Sequence, residues 1–239
     1  MRTKSLTHWL LCTMVMAPDL TCAQQSAAVR PGVELRLRVV SSLPGKQSAV
    51  PAVVWLTPSH GTTLPPVDPK GHFTMLQKNR TFIPHLLVIP VGSVVQFPNA
   101  DPFYHNVFSL YEGTRFDLGL YEAGSHKSVT FSREGVSYIF CNIHPEMSAV
   151  VIALSTPLYA VADATDSFIM HNIPPGNYRL HLWIEGVPQP FLDGLGRQVD
   201  VSSQDIDLGT FKAPIARPGV ITHTNLYGKA YETNPHSPY

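Results

Sequence analysis

The sequence lacks any excess of charge of one sign. Its 239 residues include 17 Lys and Arg against 17 Asp and Glu, so the formal net charge is zero. Proteins that neutralise nucleic-acid phosphates need a basic excess, so nucleic-acid binding is not expected. Charged residues make up only 14% of the chain, against about 25% in an average soluble domain. This composition excludes both a disordered chain and a highly charged one.

Long apolar runs are missing after the N-terminus. Near the start, a mostly apolar stretch over residues 6–17 follows the basic residues Arg2 and Lys4, and small residues occupy 21–23. This arrangement predicts an export signal over residues 1–23, so we expect a periplasmic or secreted mature protein. An uncleaved anchor is the alternative, although it needs about 18 apolar residues to span a bilayer. No later stretch is long enough to cross a membrane.

Cysteine is scarce. Of Cys12, Cys22 and Cys141, the first two lie inside the predicted signal, so the mature chain has one thiol and no internal disulfide. In an oxidising compartment a lone thiol is a liability unless it is buried, paired with another chain or bound to a metal. The neighbours of Cys141 therefore decide its role.

The composition is rich in residues that interrupt helices. The 22 prolines and 16 glycines, together with many Val, Tyr, Phe and Thr residues, favour short strands joined by turns. The sequence therefore predicts an all-β fold.

Cys141 opens a loop of the pattern C-x-x-H-x-x-M, which continues with His144 and Met147. A thiolate, an imidazole and a thioether this close together form a soft ligand set suited to copper. A blue-copper electron-transfer site needs two histidines and a cysteine around the metal, with a weak axial methionine. His105 is the candidate for the second histidine, because it follows the strand-like run 93–97. Neighbouring strand ends of a sandwich would bring it to the loop.

Each of these residues alone has an ordinary interpretation. Cys141 alone would be a buried structural thiol, Met147 a core filler and His105 a loop histidine. It is their combination that favours copper. His85 is the one other histidine kept as a candidate, and without a fitting partner we interpret it as a strand-end histidine. We interpret Glu185 as a solvated turn charge.

The segment from about Phe73 to Leu154 resembles a cupredoxin, the family of plastocyanin, azurin and amicyanin. The resemblance rests on Phe82-x-Pro84, the strand 91–99, His105-Asn106 and the stretch from Thr130 to Cys141. With the stretches 77–79, 115–119 and 141–147, it is also similar to exported cupredoxin-like proteins often labelled methylamine utilisation proteins. A Greek-key β-sandwich is the fold that this resemblance implies.

The resemblance also implies a ligand set. One type 1 copper per chain would be held by His105, Cys141 and His144 in its plane and by Met147 on its axis. Asn106 would tie the two ligand loops together by hydrogen bonds, which fixes the geometry of a metal site.

The sequence on either side of this segment predicts a second small β-sandwich. Pro174-Pro175-Gly176-x-Tyr178-x-Leu180 resembles a turn of carboxypeptidase regulatory-like, transthyretin-type modules, and the strand-like runs 34–39 and 52–56 resemble their first strands. The cupredoxin would then be inserted into a surface loop of the other sandwich. The predicted division is a signal peptide at 1–23, first strands of the second sandwich at 24–66, a cupredoxin domain at 67–155, the remainder of the second sandwich at 156–212 and a Pro-rich tail at 213–239, with Tyr227 and Tyr231 as docking points.

Missing ligands narrow the expected function. The mature chain has no second cysteine for a dinuclear copper site and no His-x-His pair for coupled copper centres. Four protein ligands leave no open coordination position for a substrate, so we expect a one-electron carrier and not an enzyme. The resemblance to cupredoxins implies that electrons would leave through an exposed edge of His144. A redox partner would then dock near His144, Pro145 and Phe103. A copper-binding or delivery protein, and a structural binding module without redox turnover, stay open as alternatives.

Overall fold

The structure is a computed structural model that describes residues 32–41, 50–69, 71–110, 112–214 and 224–231. The predicted signal at 1–23 and part of the predicted tail lie outside these residues. Within them the chain forms strands and one short helix, which confirms the all-β prediction. No helix of the described part is long and apolar enough to cross a bilayer.

The strands, numbered in chain order, are β1 (Val33–Ser41), β2 (Ala52–Ser59), β3 (His72–Thr74), β4 (Leu76–Lys78), β5 (Thr81–Ile83), β6 (Leu86–Pro90), β7 (Val94–Pro98), β8 (His105–Ser109), β9 (Phe116–Tyr121), β10 (His126–Thr130), β11 (Gly135–Phe140), β12 (Ser148–Leu154), β13 (Tyr159–Val161), β14 (Ser167–Ile173), β15 (Gly176–Ile184), β16 (Arg197–Val201) and β17 (Ile206–Ala213); the helix is α1 (Gln189–Leu195).

The flanking sandwich consists of two sheets, with strand orders β14-β1-β17 and β13-β2-β15-β16. Leu35 and Leu37 of β1 are buried while Arg36 and Arg38 are exposed, because side chains alternate between the two faces of a strand. These leucines share one apolar core with residues of the second sheet, such as Leu180. Strands β1 and β2 pair with strands that follow residue 158, so chain from both sides of the central segment builds this sandwich.

The central sandwich packs the sheet β10-β7-β3 against the five-stranded sheet β6-β12-β11-β8-β9. Its core includes Phe97 and Val95 from the first sheet and Ile139 and Val151 from the second. The hairpin β4-β5 lies beside this sandwich, where Gln77 of β4 forms a bridge with Asn99, just after β7. Because β8 and β11 are antiparallel neighbours, the start of β8 lies at the same end of the sheet as the end of β11.

A third apolar cluster joins the two sandwiches. It combines Val53 and Trp183 of the flanking sandwich with Val150 and Ile152 of the central one. The Trp183 side chain is fully buried there, and its Nε1–H donates a hydrogen bond to the Tyr138 hydroxyl at 3.2 Å. A tryptophan buries about 150–250 Å² of surface, so this residue contributes strongly to the contact.

An ion pair crosses the same boundary. The His85 ring contacts the Ser148 carbonyl through Nδ1 at 3.0 Å and the Glu185 carboxylate through Nε2 at 2.5 Å. Because both partners are acceptors, the doubly protonated ring satisfies both contacts. The hydrogen bond to Glu185 raises the pKa of His85 above its usual value, although burial opposes it. Glu185 is buried, so its interpretation as a solvated turn charge is wrong.

Replacement of Trp183 by alanine should lower the free energy of unfolding by about 3–5 kcal/mol, because a large buried side chain is lost from the boundary between the sandwiches. Denaturant unfolding followed by circular dichroism measures this change. Tyr159→Ala is the control, since Tyr159 is 41% exposed and its loss should cost much less. An equal decrease in the free energy of unfolding for the two variants would contradict a strong contribution of Trp183 to the contact between the sandwiches.

The contribution of the His85–Glu185 pair to stability should depend on pH. Because the pKa of His85 is raised in the folded state, the stabilisation is complete below the usual histidine pKa of about 6.5 and is lost as the pH rises through the raised value. In urea unfolding, Glu185→Gln should therefore lower the free energy of unfolding more at pH 6 than at pH 9. Glu122→Gln, at an exposed position, should show no such trend. A cost of Glu185→Gln that is independent of pH would refute the charged pair.

Candidate metal centre

Strand pairing brings the predicted ligands to one end of the central sandwich. His105 is the first residue of β8, and Cys141 follows the last residue of β11. The antiparallel pairing of these strands, with Phe108 opposite Phe140, sets the two ligands side by side. The register of one sheet thus brings His105 and Cys141 together although they are far apart in sequence.

Residues 141–147, here called the ligand loop, connect β11 to β12 in a tight turn. The Cys141 N–H donates to the Met147 carbonyl at 3.3 Å, and the Met147 N–H donates to the His144 carbonyl at 3.1 Å. These two backbone bonds fix the path of the loop, and Pro145 restricts it further. Bonds within the loop backbone therefore help to position Cys141, His144 and Met147.

Three donor atoms of the predicted ligands form a small triangle. The Nδ1 atoms of His105 and His144 lie 3.1 Å apart, and the Cys141 Sγ lies 3.8 Å from the first and 3.6 Å from the second. All three side chains are buried. Among the described residues this is the group of His, Cys, Asp and Glu side chains close enough together to hold a metal ion.

The triangle has the size that a metal ion requires. A point in its plane lies about 2 Å from each of the three donor atoms, close to the metal–nitrogen and metal–sulfur bond lengths of about 2.0–2.3 Å in protein sites. Two imidazoles and one thiolate are also a donor set that suits copper. The residues present therefore fit a mononuclear copper ion.

Met147 lies next to the triangle. Its side chain is fully buried in the same apolar cluster as Cys141, and its backbone closes the ligand loop. The axial role of its thioether stays a prediction.

A buried carboxylate orients His105. The Nε2 of His105 is 2.8 Å from the Asp101 Oδ2, so this nitrogen carries the proton and donates it. The Nδ1 atom then has a free lone pair, and it faces Cys141 and His144. A carboxylate in this position fixes the tautomer and the orientation of a metal-binding histidine.

The turn between β4 and β5 holds the carboxylate of Asp101. The backbone N–H groups of Asn79 and Arg80 donate to its two oxygens at 2.6 and 3.0 Å, and both residues adopt positive φ angles near 55°. Burial raises the pKa of Asp101, but the hydrogen bonds from Arg80, His105 and Asn79 outweigh burial, and the pKa lies below its usual value. The carboxylate is thus kept ionised beside His105. Asp101 is absent from the sequence-based predictions; its one signal is its place four residues before His105, in the connection that leads into β8.

His144 is buried, and this differs from the expectation. Its side chain is only 3% exposed, and its Nε2 has no hydrogen-bond partner among the described residues. The Phe103 ring packs against both His144 and His105, with centroids 5.6 and 5.2 Å apart. Burial, with help from His105, lowers the pKa of His144 to about 4, so the ring is neutral as a metal ligand must be. The expected exposed edge is wrong, and the docking of a partner near His144, Pro145 and Phe103 stays a prediction.

Cys141 is a neutral thiol in the absence of metal. Burial raises its pKa, while backbone N–H groups of Asn106, Ile143 and His144 directed at the sulfur lower it. Metal binding would therefore release the thiol proton. The same N–H groups would stabilise the thiolate once it forms.

Asn106 links the two ligand strands by its backbone and not by its side chain. Its N–H points at the Cys141 sulfur, whereas its side-chain amide donates to Asp117 of β9 at 2.8 Å. Of the hydrogen bonds expected between Asn106 and the ligand loop, the contact to Cys141 thus comes from the backbone, while the side chain contacts the neighbouring strand β9.

Comparisons with known proteins give similarity only to solved structures. No protein-family model matches the chain, and no curated protein does. A purple cupredoxin from Nitrosopumilus maritimus is 25% identical, with a TM-score of 0.32 over 36% of this chain and 100% of its own. A reduced proline-to-phenylalanine mutant of amicyanin is 20% identical, with a TM-score of 0.33 over 42% of this chain and 99% of its own.

A Cu-containing nitrite reductase from Thermus scotoductus SA-01 is also similar. It is 22% identical, with a TM-score of 0.34, and the match covers 49% of this chain but only 28% of the reductase. The structural neighbours are therefore cupredoxins and a copper enzyme, matched at low identity over less than half of this chain.

Replacement of Asp101 by asparagine should weaken copper binding about 10- to 100-fold, the usual effect of removing the group that orients a histidine ligand. The loss of a negative charge beside His105 should also raise the reduction potential. Competition with a copper chelator measures the affinity, and Asp200→Asn, at an exposed position on β16, is the control. Unchanged affinity in Asp101→Asn would count against the role assigned to this carboxylate.

Proposed function

We propose that the protein is an exported type 1 copper protein that carries single electrons. The observation that carries this proposal is the buried triangle of His105, Cys141 and His144, whose size and donor chemistry fit one copper ion. Met147 completes the proposed ligand set as the weak axial donor. A copper ion bound there would supply one-electron exchange between Cu(I) and Cu(II).

Rigidity of the surroundings supports electron transfer. The backbone bonds of the ligand loop and the Asp101–His105 contact hold the ligands in place without a metal. Ligands that stay in one arrangement need little rearrangement when the charge of the metal changes. The apolar packing around Cys141 and Met147 excludes water from the same region.

The proposal also holds that the protein is not an enzyme. All four proposed ligands come from the protein and are buried, so no coordination position is left for a substrate. The nitrite reductase among the neighbours is an enzyme by its own name, and this chain spans only 28% of it. Export rests on the sequence at 1–23, and a redox partner docking near the ligand loop is part of the proposal.

The test is an absorption and electron-resonance spectrum of the purified protein with added copper. We expect one copper per chain, an intense blue colour and a reversible one-electron wave. Tight Cu(I) binding without redox cycling would instead indicate copper delivery. A protein that takes up no copper would indicate a structural module.

Two substitutions sharpen this test. Cys141→Ala should abolish the colour, because the thiolate is lost, and Met147→Leu should keep the copper and raise the potential, because a weak axial donor is lost. Met170→Leu is the matched control, since Met170 is buried in the core of the flanking sandwich. An intense blue colour in Cys141→Ala would disprove the ligand assignment.

A further inference from the structure

Residues 224–231, here called the docked segment, lie against the ligand loop. The Leu226 N–H donates to the side-chain carbonyl of Asn142 at 2.8 Å. The Tyr231 hydroxyl donates to the backbone carbonyl of Cys141, also at 2.8 Å. Both contacts fall on the first two residues of the ligand loop, from a segment more than eighty residues later in the chain.

The docked segment has a defined local structure of its own. The side-chain carbonyl of Asn225 accepts hydrogen bonds from the backbone N–H groups of Tyr227 and Lys229 at 3.0 and 2.9 Å. The backbone N–H of Asn225 donates to the Lys229 carbonyl at 2.8 Å. Side-chain amides of Asn commonly stabilise turns in this way. Within the predicted Pro-rich tail, this segment therefore forms a compact turn that carries Leu226, with Tyr231 just after it.

The two tyrosines of the segment have different environments. Tyr231 is partly buried against the ligand loop, whereas Tyr227 is 73% exposed. Of the two predicted docking points, Tyr231 contacts this chain itself. Because Tyr227 lies in the same segment but is exposed, it serves as the control residue for Tyr231.

Access to the metal centre depends on the ligand loop. Cys141, His144 and His105 are all buried, so a metal ion or a thiol reagent reaches them only when a covering element moves. The loop is a short connection between two strands, and the docked segment holds its first two residues. Loss of these two bonds would free the first two residues of the loop to move.

We propose that the docked segment is a clamp on the ligand loop, with Tyr231 as a positioning residue that sets how often the buried ligands open to solvent. The structural part of this inference stands without copper, and its consequence for metal release rests on the proposed function. One neutral hydrogen bond of ordinary net strength changes an opening equilibrium by about 2- to 10-fold. Two such bonds together change it by more.

The test uses alkylation of Cys141 by iodoacetamide in the metal-free protein. The thiolate displaces iodide and forms a thioether, and mass spectrometry of the Cys141 peptide gives the rate separately from Cys12 and Cys22. Tyr231→Phe should be labelled about 2- to 10-fold faster than the wild type, because one hydrogen bond to the loop is lost. A chain that ends at residue 223 should be labelled faster still, and Tyr227→Phe should match the wild type.

The thermal unfolding midpoint separates local opening from general loss of stability. Tyr231→Phe should share its midpoint with Tyr227→Phe while its labelling is faster. Labelling of Tyr231→Phe at the wild-type rate would overturn the clamp, and so would equal acceleration in Tyr227→Phe.

A second measurement addresses the consequence for the metal. With copper bound, the rate of its transfer to a chelator should rise in the same order across the variants. If the wild-type protein takes up no copper, the proposed function fails while the labelling result still decides the clamp. If copper binds but leaves all variants at one rate, the clamp does not control metal release.

Discussion

The site depends on one register, the antiparallel pairing of β8 with β11. Because Phe108 lies opposite Phe140, His105 and Cys141 meet at the same end of the sheet, and the ligand loop adds His144 to them. A shift of one residue would turn the side chains of one strand to the opposite face. The core side chains of both strands, such as Val107 and Ile139, oppose such a shift. Packing of the sandwich core therefore also fixes the geometry of the donor atoms.

The same strands carry the contact between the sandwiches. Tyr138 of β11 accepts a hydrogen bond from Trp183 of β15, and His85 joins Ser148, at the start of β12, to Glu185. The ligand loop connects β11 to β12. One face of these two strands packs in the core of the central sandwich, and the other face packs against the flanking sandwich. Apolar area supplies most of this support, while the ion pair adds a part that varies with pH.

The parts of the candidate site that can be predicted from the sequence are those whose chemistry is local. The loop from Cys141 to Met147 is recognisable because its donors occur within seven residues, and His105 completes a known order of ligands. Contacts between distant parts of the chain could not be predicted: Asp101 lies four residues before His105, but amides of Asn79 and Arg80 hold its carboxylate in place. The docked segment likewise contacts the loop across 84 residues or more. The burial of His144 and Glu185 was missed for the same reason, since the residues around them come from other parts of the chain.

The boundary between the sandwiches has a consequence for any smaller carrier cut from this chain. Residues 67–155 alone would leave Val136, Val150 and Ile152, now covered by Trp183 and Val53, facing water on one broad side of a sheet. Contiguous apolar surface of this kind favours self-association in soluble proteins. The excised fragment would therefore tend to aggregate or form dimers through that side, whereas in the intact protein the flanking sandwich is a permanent, covalently attached cover for it.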